Sequence, residues 1–445
     1  MKKVYLETFG CQMNVSDSER VSTVLESENF ELTSDEHSAD IVLFNTCSVR
    51  EKAEHKLYTR IGEVRAQHSN KKIVGVLGCV AQLEGETLFD KNPSIDFVLG
   101  TKASGRIVQA IEKVLGGESR FADLGERDPD YLWSVSQTQK HSPHISFVPI
   151  IEGCNKFCTY CIVPFSRGRE ISLPAAEIIR HIQNLRREGV REVHLIGQNV
   201  NSYRPKRLEG LEEFRGATHF SRLLRAVAAT GIERIKFTTS FPRDFHTDIV
   251  EAINENENLC NWVHLPVQSG SNKILRLMRR GHSIENYFQR IDKIKSSNRN
   301  ISLTTDIIIG FPDETESDFE DSLKMLDYCQ FDSAYIFKYS PRSGTPASQM
   351  TDNVSAGEKK QRFTELENRQ RSNQTKIFQT FLNKQVSVLA ENYSGKEGFD
   401  LSGRTSCHKV VHLKGSPELI GKIVDVKIFE AKSNTLYGKV VGNFI

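Results

Sequence analysis

An α/β chain in three parts is the fold class that the sequence predicts, and three observations predict it. Up to about residue 120, apolar runs of strand length alternate with helix-length stretches. After a polar interval the same alternation resumes near Ile145. From about Phe378, short strands divided by Gly, Ser and Asn replace it. The 445 residues exceed a single core, because domains usually hold about 100–200 residues.

In the first part, "KKVYLETFG", "ADIVLFNTC", "KKIVGVLGC" and "SIDFVLG" read as strands. The stretch "SDSERVSTVLES" between the first two reads as a helix, with Ser16 and Glu19 fitting a capping box. Apolar strands separated by helices imply a parallel sheet covered by helices, here an amino-terminal α/β domain over residues 1–120. Residues 121–143, polar and with two prolines, read as a linker. Residues 144–376 carry six strand candidates: "SFVPII", "EVHLIG", "RIKFTT", "WVHLPV", "SLTTDIIIG" and "SAYIFKY". Helices lie between them, one of them opening at Pro174 and closing at Gly189, as helix-end chemistry prefers. Six βα units predict a partial (β/α)6 barrel, smaller than the full eight-unit form. Residues 202–220 are a charged insertion, and residues 355–382 a charged helix. Residues 377–445 predict a small all-β barrel with nine Lys/Arg against six Asp/Glu, a surplus of three.

Bulk properties narrow the function. Hydrophobic content of 38% and charged content of 26% are those of a globular protein. No apolar run reaches the ~18 residues of a membrane span, and no signal-peptide pattern opens the chain, so a cytoplasmic location is expected. A net charge of +2 means that any polyanion must meet a local patch. Nine cysteines without a secretion signal argue for metal or redox chemistry over a disulfide framework.

Three of those cysteines fall within eight residues, Cys154, Cys158 and Cys161, in the order C-x-x-x-C-x-x-C. A zinc site wants four ligands and would have to borrow a distant histidine. A redox pair cut from Cys158 and Cys161 leaves Cys154 unexplained. An iron–sulfur cluster on three thiolates leaves one iron open to a substrate. Cys11, Cys47 and Cys79 each end a predicted strand, where open α/β sheets gather ligands; as a set they are a site or three core residues. Cys260, Cys329 and Cys407 read as packing residues. Cys407, His408 and His412 are not read as a metal site, because strand alternation splits such neighbours between faces.

The strand, the three-cysteine loop with Tyr160 before its last cysteine, and the βα barrel together resemble the radical S-adenosylmethionine enzymes. "TFGCQMN", "NTCSVRE" and "GCVAQ" resemble the amino-terminal cluster domain of the methylthiotransferases. "IEGCNKFCTYCIVP" with "RGRE", "LIGQNVNSY", "FTTSFP", "HLPVQSGS", "TTDIIIGFP" and "YSPRSGTPA" resemble their catalytic core. The tail resembles the TRAM domain, an RNA-binding barrel. "FGCQMN" and "LIGQNVNSY" favour the MiaB-type group, which acts on isopentenylated tRNA adenosine, over relatives acting on threonylcarbamoyl-adenosine or a ribosomal protein.

The resemblance implies two 4Fe–4S clusters. Cys154, Cys158 and Cys161 would hold the radical cluster, with S-adenosylmethionine on its open iron. Cys11, Cys47 and Cys79 would hold an auxiliary one. It implies methylthiolation of C2 of N6-isopentenyladenosine at position 37 of tRNA. One S-adenosylmethionine methylates a sulfide on the auxiliary cluster, and a second yields a 5′-deoxyadenosyl radical that activates the adenine. An unactivated aromatic C–H demands such cofactor chemistry. The implied partners are the anticodon stem-loop, a low-potential electron donor such as a flavodoxin or ferredoxin, and a sulfur source. Gly197, Gln198 and Asn199 end one barrel strand, Gln268, Ser269 and Gly270 follow another, and Asp306 lies in the fifth. These are candidates for cofactor or adenine contacts or for loop formation. Arg167 and Arg169 could grip a carboxylate or a phosphate, or form surface ion pairs. Lys384, Arg404, Lys409, Lys414 and Lys422 are candidate RNA phosphate contacts. A zinc-stabilised RNA-binding protein without catalysis is the rival reading.

Overall fold

The structure, a computed structural model, describes residues 1–48, 51–68, 72–118, 120–126, 142–214 and 216–441. Residues 127–141 of the expected linker lie outside the described residues. The first unit contains β1 (Lys3–Phe9), α1 (Gln12–Ser27), β2 (Glu31–Leu32), β3 (Ile41–Thr46), α2 (Glu51–His68) and β4 (Ile73–Gly78). It continues with α3 (Cys79–Glu84), α4 (Thr87–Lys91), β5 (Phe97–Gly100), α5 (Ile107–Leu115) and β6 (Phe121–Asp123). The strands form one parallel sheet in the order β2-β1-β3-β4-β5-β6. β3 is buried along its whole length, as a parallel strand covered on both faces must be. Its alternation divides the core: Ile41 and Leu43 pack with α1 and α5, while Val42 and Phe44 pack with α2, α3 and α4.

One expectation fails here. Ser16 and Glu19 do not cap α1; the helix starts five residues earlier, with Cys11 at the N-cap. Tertiary contact overrides the local signal. Asn14 donates to the Asn45 side chain at 3.1 Å and to the Thr46 carbonyl at 3.3 Å, and Asn45 donates to Ser18 at 2.9 Å. This buried network needs its first turn in helical form, and it leaves Ser16 2% exposed within the helix.

The second unit opens with β7 (Ile145–Pro149), β8 (Ile151–Glu152), α6 (Val163–Arg167), β9 (Ile171–Ser172) and α7 (Ala175–Arg187). Then follow β10 (Glu192–Ile196), α8 (His219–Ala228), β11 (Arg234–Phe237), α9 (Thr247–Glu255), β12 (Trp262–His264), α10 (Asn272–Leu277) and α11 (Ile284–Lys295). It ends with β13 (Ser302–Ile309), α12 (Glu316–Cys329), β14 (Ser333–Lys338) and α13 (Ala356–Gln379). β7, β10 and β11 pair in parallel, as do β12, β13 and β14, and one bridge, Ile235 to Leu259, joins the two sets. The result is the expected six-strand partial barrel. The helices on its outside and the strands share one large core. α1 packs against β7, so the first unit abuts the barrel at that edge.

The tail strands β15 (Gln385–Tyr393), β16 (Leu401–Thr405), β17 (Val410–Lys414), β18 (Ile423–Ala431) and β19 (Leu436–Val440) close a barrel in the order β15-β16-β17-β19-β18. This barrel plugs the amino-terminal mouth of the larger one. Arg234 donates to the Arg404 carbonyl at 2.9 Å and to the Ser387 carbonyl at 3.0 Å. The His408 ring lies 5.6 Å from Trp262 and 6.1 Å from His194. Lys409 is therefore not a phosphate contact: its amine is buried against Asp332 and donates to Ser302 at 2.7 Å. Arg404 pairs with Glu391. Among the described residues no helix is long and apolar enough to cross a membrane.

Replacing Lys409 with Ala leaves Asp332 enclosed without its cation, and should destabilise the docked tail by about 3 kcal/mol. Lys384→Ala, at an exposed position, should move stability by less than about 0.5 kcal/mol. Urea unfolding of the full chain measures both.

Candidate active site

Parallel register aligns the ends of β1, β3 and β4: Phe9 faces Thr46, and Thr46 faces Gly78. Cys11, Cys47 and Cys79 follow at once, so three residues far apart in sequence arrive at one edge. Gly10 permits the approach, since a Cβ there would stand 2.8 Å from the Cys47 Cβ. The Cys47 thiol hydrogen-bonds Cys11 and, with Arg167 nearby, lowers the Cys11 thiol to about 6. Cys11 also lies 3.3 Å from the Asn14 side-chain oxygen. Burial raises the Cys79 thiol, while Arg167 and the Ser166 hydroxyl pull it back.

The second triad occupies the loop between β8 and α6. β8 and β9 pair antiparallel and clamp that loop at its base. Gly153 has φ 76°, and a Cβ on it would meet the Arg169 carbonyl at 2.2 Å, so only glycine fits. Asn199 donates to the Cys154 sulfur at 3.0 Å, and the Lys156 backbone N–H does so at 3.4 Å. Burial raises the Cys154 thiol and pushes Cys161 up to about 12, with Cys158 adding to both. Among the described residues no three His, Cys, Asp or Glu side chains are grouped so as to hold a single metal ion. A cubane cluster gives each thiolate its own iron, so its ligands stand wider apart than those of one ion.

The other sequence candidates separate into several settings. Asn199 touches the second triad. Gly197 is a packing residue, because a Cβ would lie 2.3 Å from the Ile151 side chain. Gly270 likewise lies against the backbone of α12. Gln268 is buried, with φ 81°. Asp306 faces His264 at 3.6 Å. Arg169 is exposed. Arg167 is buried and donates to Asp17 at 2.6 Å, toward the first triad. Cys260 and Cys329 are buried in packing positions, and Cys407 lies 3.1 Å from the Thr405 hydroxyl.

Residues 3–100 match Uncharacterized protein family UPF0004, residues 148–326 the Radical SAM superfamily, and residues 381–441 the TRAM domain. The chain is similar to the tRNA-2-methylthio-N(6)-dimethylallyladenosine synthase of Actinobacillus pleuropneumoniae serotype 5b, at 39% identity over 99% of this chain and 92% of that one. It is similar to the synthase of Erwinia tasmaniensis at 41% identity, with the same coverage. The chain belongs to the tRNA-2-methylthio-N(6)-dimethylallyladenosine synthase family. It is a radical S-adenosylmethionine enzyme homologous to tRNA methylthiotransferases. Among solved structures, the radical S-adenosylmethionine methyltransferase TsrM from Kitasatospora setae shares the fold, with a TM-score of 0.59 at 13% identity over 78% of this chain and 75% of that one.

A synthase of this family requires a cluster and S-adenosylmethionine, and the barrel rim suits them. Gln198 Oε1, Thr238 Oγ1, Ser240 Oγ and Tyr339 OH are buried without a protein partner. All follow the carboxyl ends of barrel strands, where such enzymes set their functional groups. Unpartnered buried oxygens cost about 1–3 kcal/mol each unless a ligand meets them. Thr239 beside them has φ 71°, an outlier for a β-branched residue and a strain typical of functional sites.

Sequence reading missed Arg280. Its guanidinium lies 3.5 Å from the Cys158 sulfur and 3.4 Å from the Tyr160 hydroxyl, donates to the Pro266 carbonyl at 2.5 Å, and stacks 4.4 Å from the Phe241 ring. Burial alone would lower its pKa, but Tyr160 and Cys158 outweigh that and raise it. Nothing in "LMRRGHS" distinguishes it from its neighbour Arg279.

Asn199→Ala removes the side-chain donor to the Cys154 sulfur. It should slow reductive S-adenosylmethionine cleavage about tenfold and, for a cluster held on that loop, lower its reduction potential. Rate assays and an electron paramagnetic resonance redox titration measure the two effects.

Proposed function

We propose that this synthase methylthiolates C2 of N6-isopentenyladenosine at position 37 of tRNA, consuming two molecules of S-adenosylmethionine per product. Cys154, Cys158 and Cys161 would hold a 4Fe–4S cluster whose open iron takes S-adenosylmethionine. Cys11, Cys47 and Cys79 would hold a second cluster. The observation that carries this reading is the pair of three-cysteine sets, one on each side of a single domain boundary, with α6 running from one toward the other. When bound, these groups supply a 5′-deoxyadenosyl radical and a methylated sulfur.

The chain's own residues do the rest. Asn199 and the Lys156 N–H donate to the Cys154 sulfur, and Arg280 sets a positive charge beside Cys158. Gln198 and Gln268 stand on the rim that would receive cofactor and adenine, and Asp306 lies within β13. Arg169, exposed next to it, would meet a phosphate. We divide the chain into a cluster domain at 1–120, a catalytic barrel at 144–376 and an RNA-binding tail at 377–445. A base in a loop can be unstacked and splayed into such a rim.

The tail supports RNA binding through a cluster of rings in which Phe429 is exposed, Phe399 and His412 are half-buried, and Tyr437 is buried beneath them. Phe399 lies 6.2 Å from Phe429 and 5.0 Å from Tyr437, and His412 stacks on Tyr437 at 5.6 Å. Lys414 stands 6.0 Å over Phe399 and Lys432 4.9 Å over Tyr437. Rings with flanking lysines accept unpaired bases and their phosphates. A flavodoxin or ferredoxin and an external sulfur source complete the proposed reaction.

Mass spectrometry of tRNA nucleosides from a deletion strain tests the reading. The 2-methylthio product should be lost and restored by the parent gene, but not by Cys158→Ala, which should also abolish 5′-deoxyadenosine. Cys47→Ala should still release 5′-deoxyadenosine without methylthio product. Persistence of the product in the deletion strain, or anaerobic protein holding zinc rather than about eight irons per chain, would overturn it. Separately, Phe429→Ala should weaken binding of an anticodon stem-loop about tenfold, as measured by fluorescence anisotropy.

A further inference from the structure

Two buried ion pairs bracket the loop that carries the second triad. Just before it, Glu152 accepts from Arg20 at 2.6 Å. Just after it, Arg167 donates to Asp17 at 2.6 Å. Asp17 and Arg20 lie one turn apart on α1, 3.9 Å from each other. The four side chains are only 1–13% exposed. α1 begins at Cys11, so a helix that opens on one thiol of the first triad grips the chain on both sides of the second.

Further contacts tie the same two units. The Ser166 carbonyl, next to Arg167, accepts from the Thr101 hydroxyl at 2.5 Å. α6 packs on α3, which starts at Cys79. Arg167 is buried, and Asp17 meets its guanidinium. It lies six residues beyond Cys161, yet it pairs with the helix that follows Cys11.

Stability does not explain four charges in this position. Buried ion pairs often add no more stability than apolar residues of the same size would. They add direction, because a guanidinium meets a carboxylate in a narrow range of geometries. Reactions between held groups depend steeply on placement, and an error of about 1 Å can cost about 100-fold.

We propose that Glu152, Arg20, Asp17 and Arg167 are positioning residues that set the distance and orientation between the two cysteine triads and so couple methylthio transfer to cofactor cleavage. The inference rests on the two-cluster reading above. Two variants spare both triads: Asp17→Asn keeps the shape and removes a charge, and Arg20→Lys keeps the charge and removes the fork. In the anaerobically reconstituted full chain, iron content and the 5′-deoxyadenosine rate should stay near the parent values. Methylthio product per 5′-deoxyadenosine should fall about tenfold, and the magnetic coupling between the two reduced clusters should change. If Asp17→Asn fails to fold, Arg20→Lys carries the test. An unchanged ratio in a folded variant with full iron content, or cleavage and transfer falling in equal proportion, would overturn the proposal. Parent protein that binds only one cluster would instead sink the two-triad reading beneath it.

Discussion

Every strand of the amino-terminal sheet and of the six-strand barrel runs parallel to its neighbours, and the rest of the architecture depends on that constraint. A parallel sheet sends the carboxyl ends of all its strands to one edge, so the residues that follow them collect there. In the amino-terminal sheet this gathers Cys11, Cys47 and Cys79. In the barrel it gathers Gln198, Thr238, Ser240, Gln268 and Tyr339. Two edges meet where α1 lies along β7, and chemistry that needs two sites can then be shared across one boundary.

Close backbone approach and charge finish what topology starts. Gly10 and Gly153 each precede a cysteine and each leave no room for a side chain. The thiols themselves sit in contrasting fields. A thiol partner and a nearby guanidinium lower the Cys11 thiol, whereas burial raises that of Cys161.

The tail shows how one surface property divides between two uses. Its excess of basic residues is partly used inside the fold: Lys409 is enclosed against Asp332 of the large barrel, and Arg404 pairs with Glu391 within the tail. The exposed ring of Phe429 and the half-buried rings of Phe399 and His412 cluster about buried Tyr437, with Lys414 over Phe399 and Lys432 over Tyr437. Charge count alone does not separate these two populations, because burial depends on which face of each strand meets the larger barrel.

The three-part α/β organisation and the strands were legible in the sequence because they rest on local periodicity, which survives any arrangement of the parts. So was the second triad, since eight residues of loop keep its cysteines together whatever else happens. The start of α1 was not legible, because a buried Asn14–Asn45 network sets it in place of the Ser16 cap. Arg280 was not legible either: it comes to Cys158 only when the turn after α10 folds back over the cysteine loop. The sequence by itself determined which residues could carry metal and radical chemistry, because side-chain type and short spacing suffice for that. Tertiary structure alone decided that Arg167 turns toward the first triad and that α1 holds both sides of the second, because ion pairs between residues about 130–150 positions apart form only once the two domains are packed together.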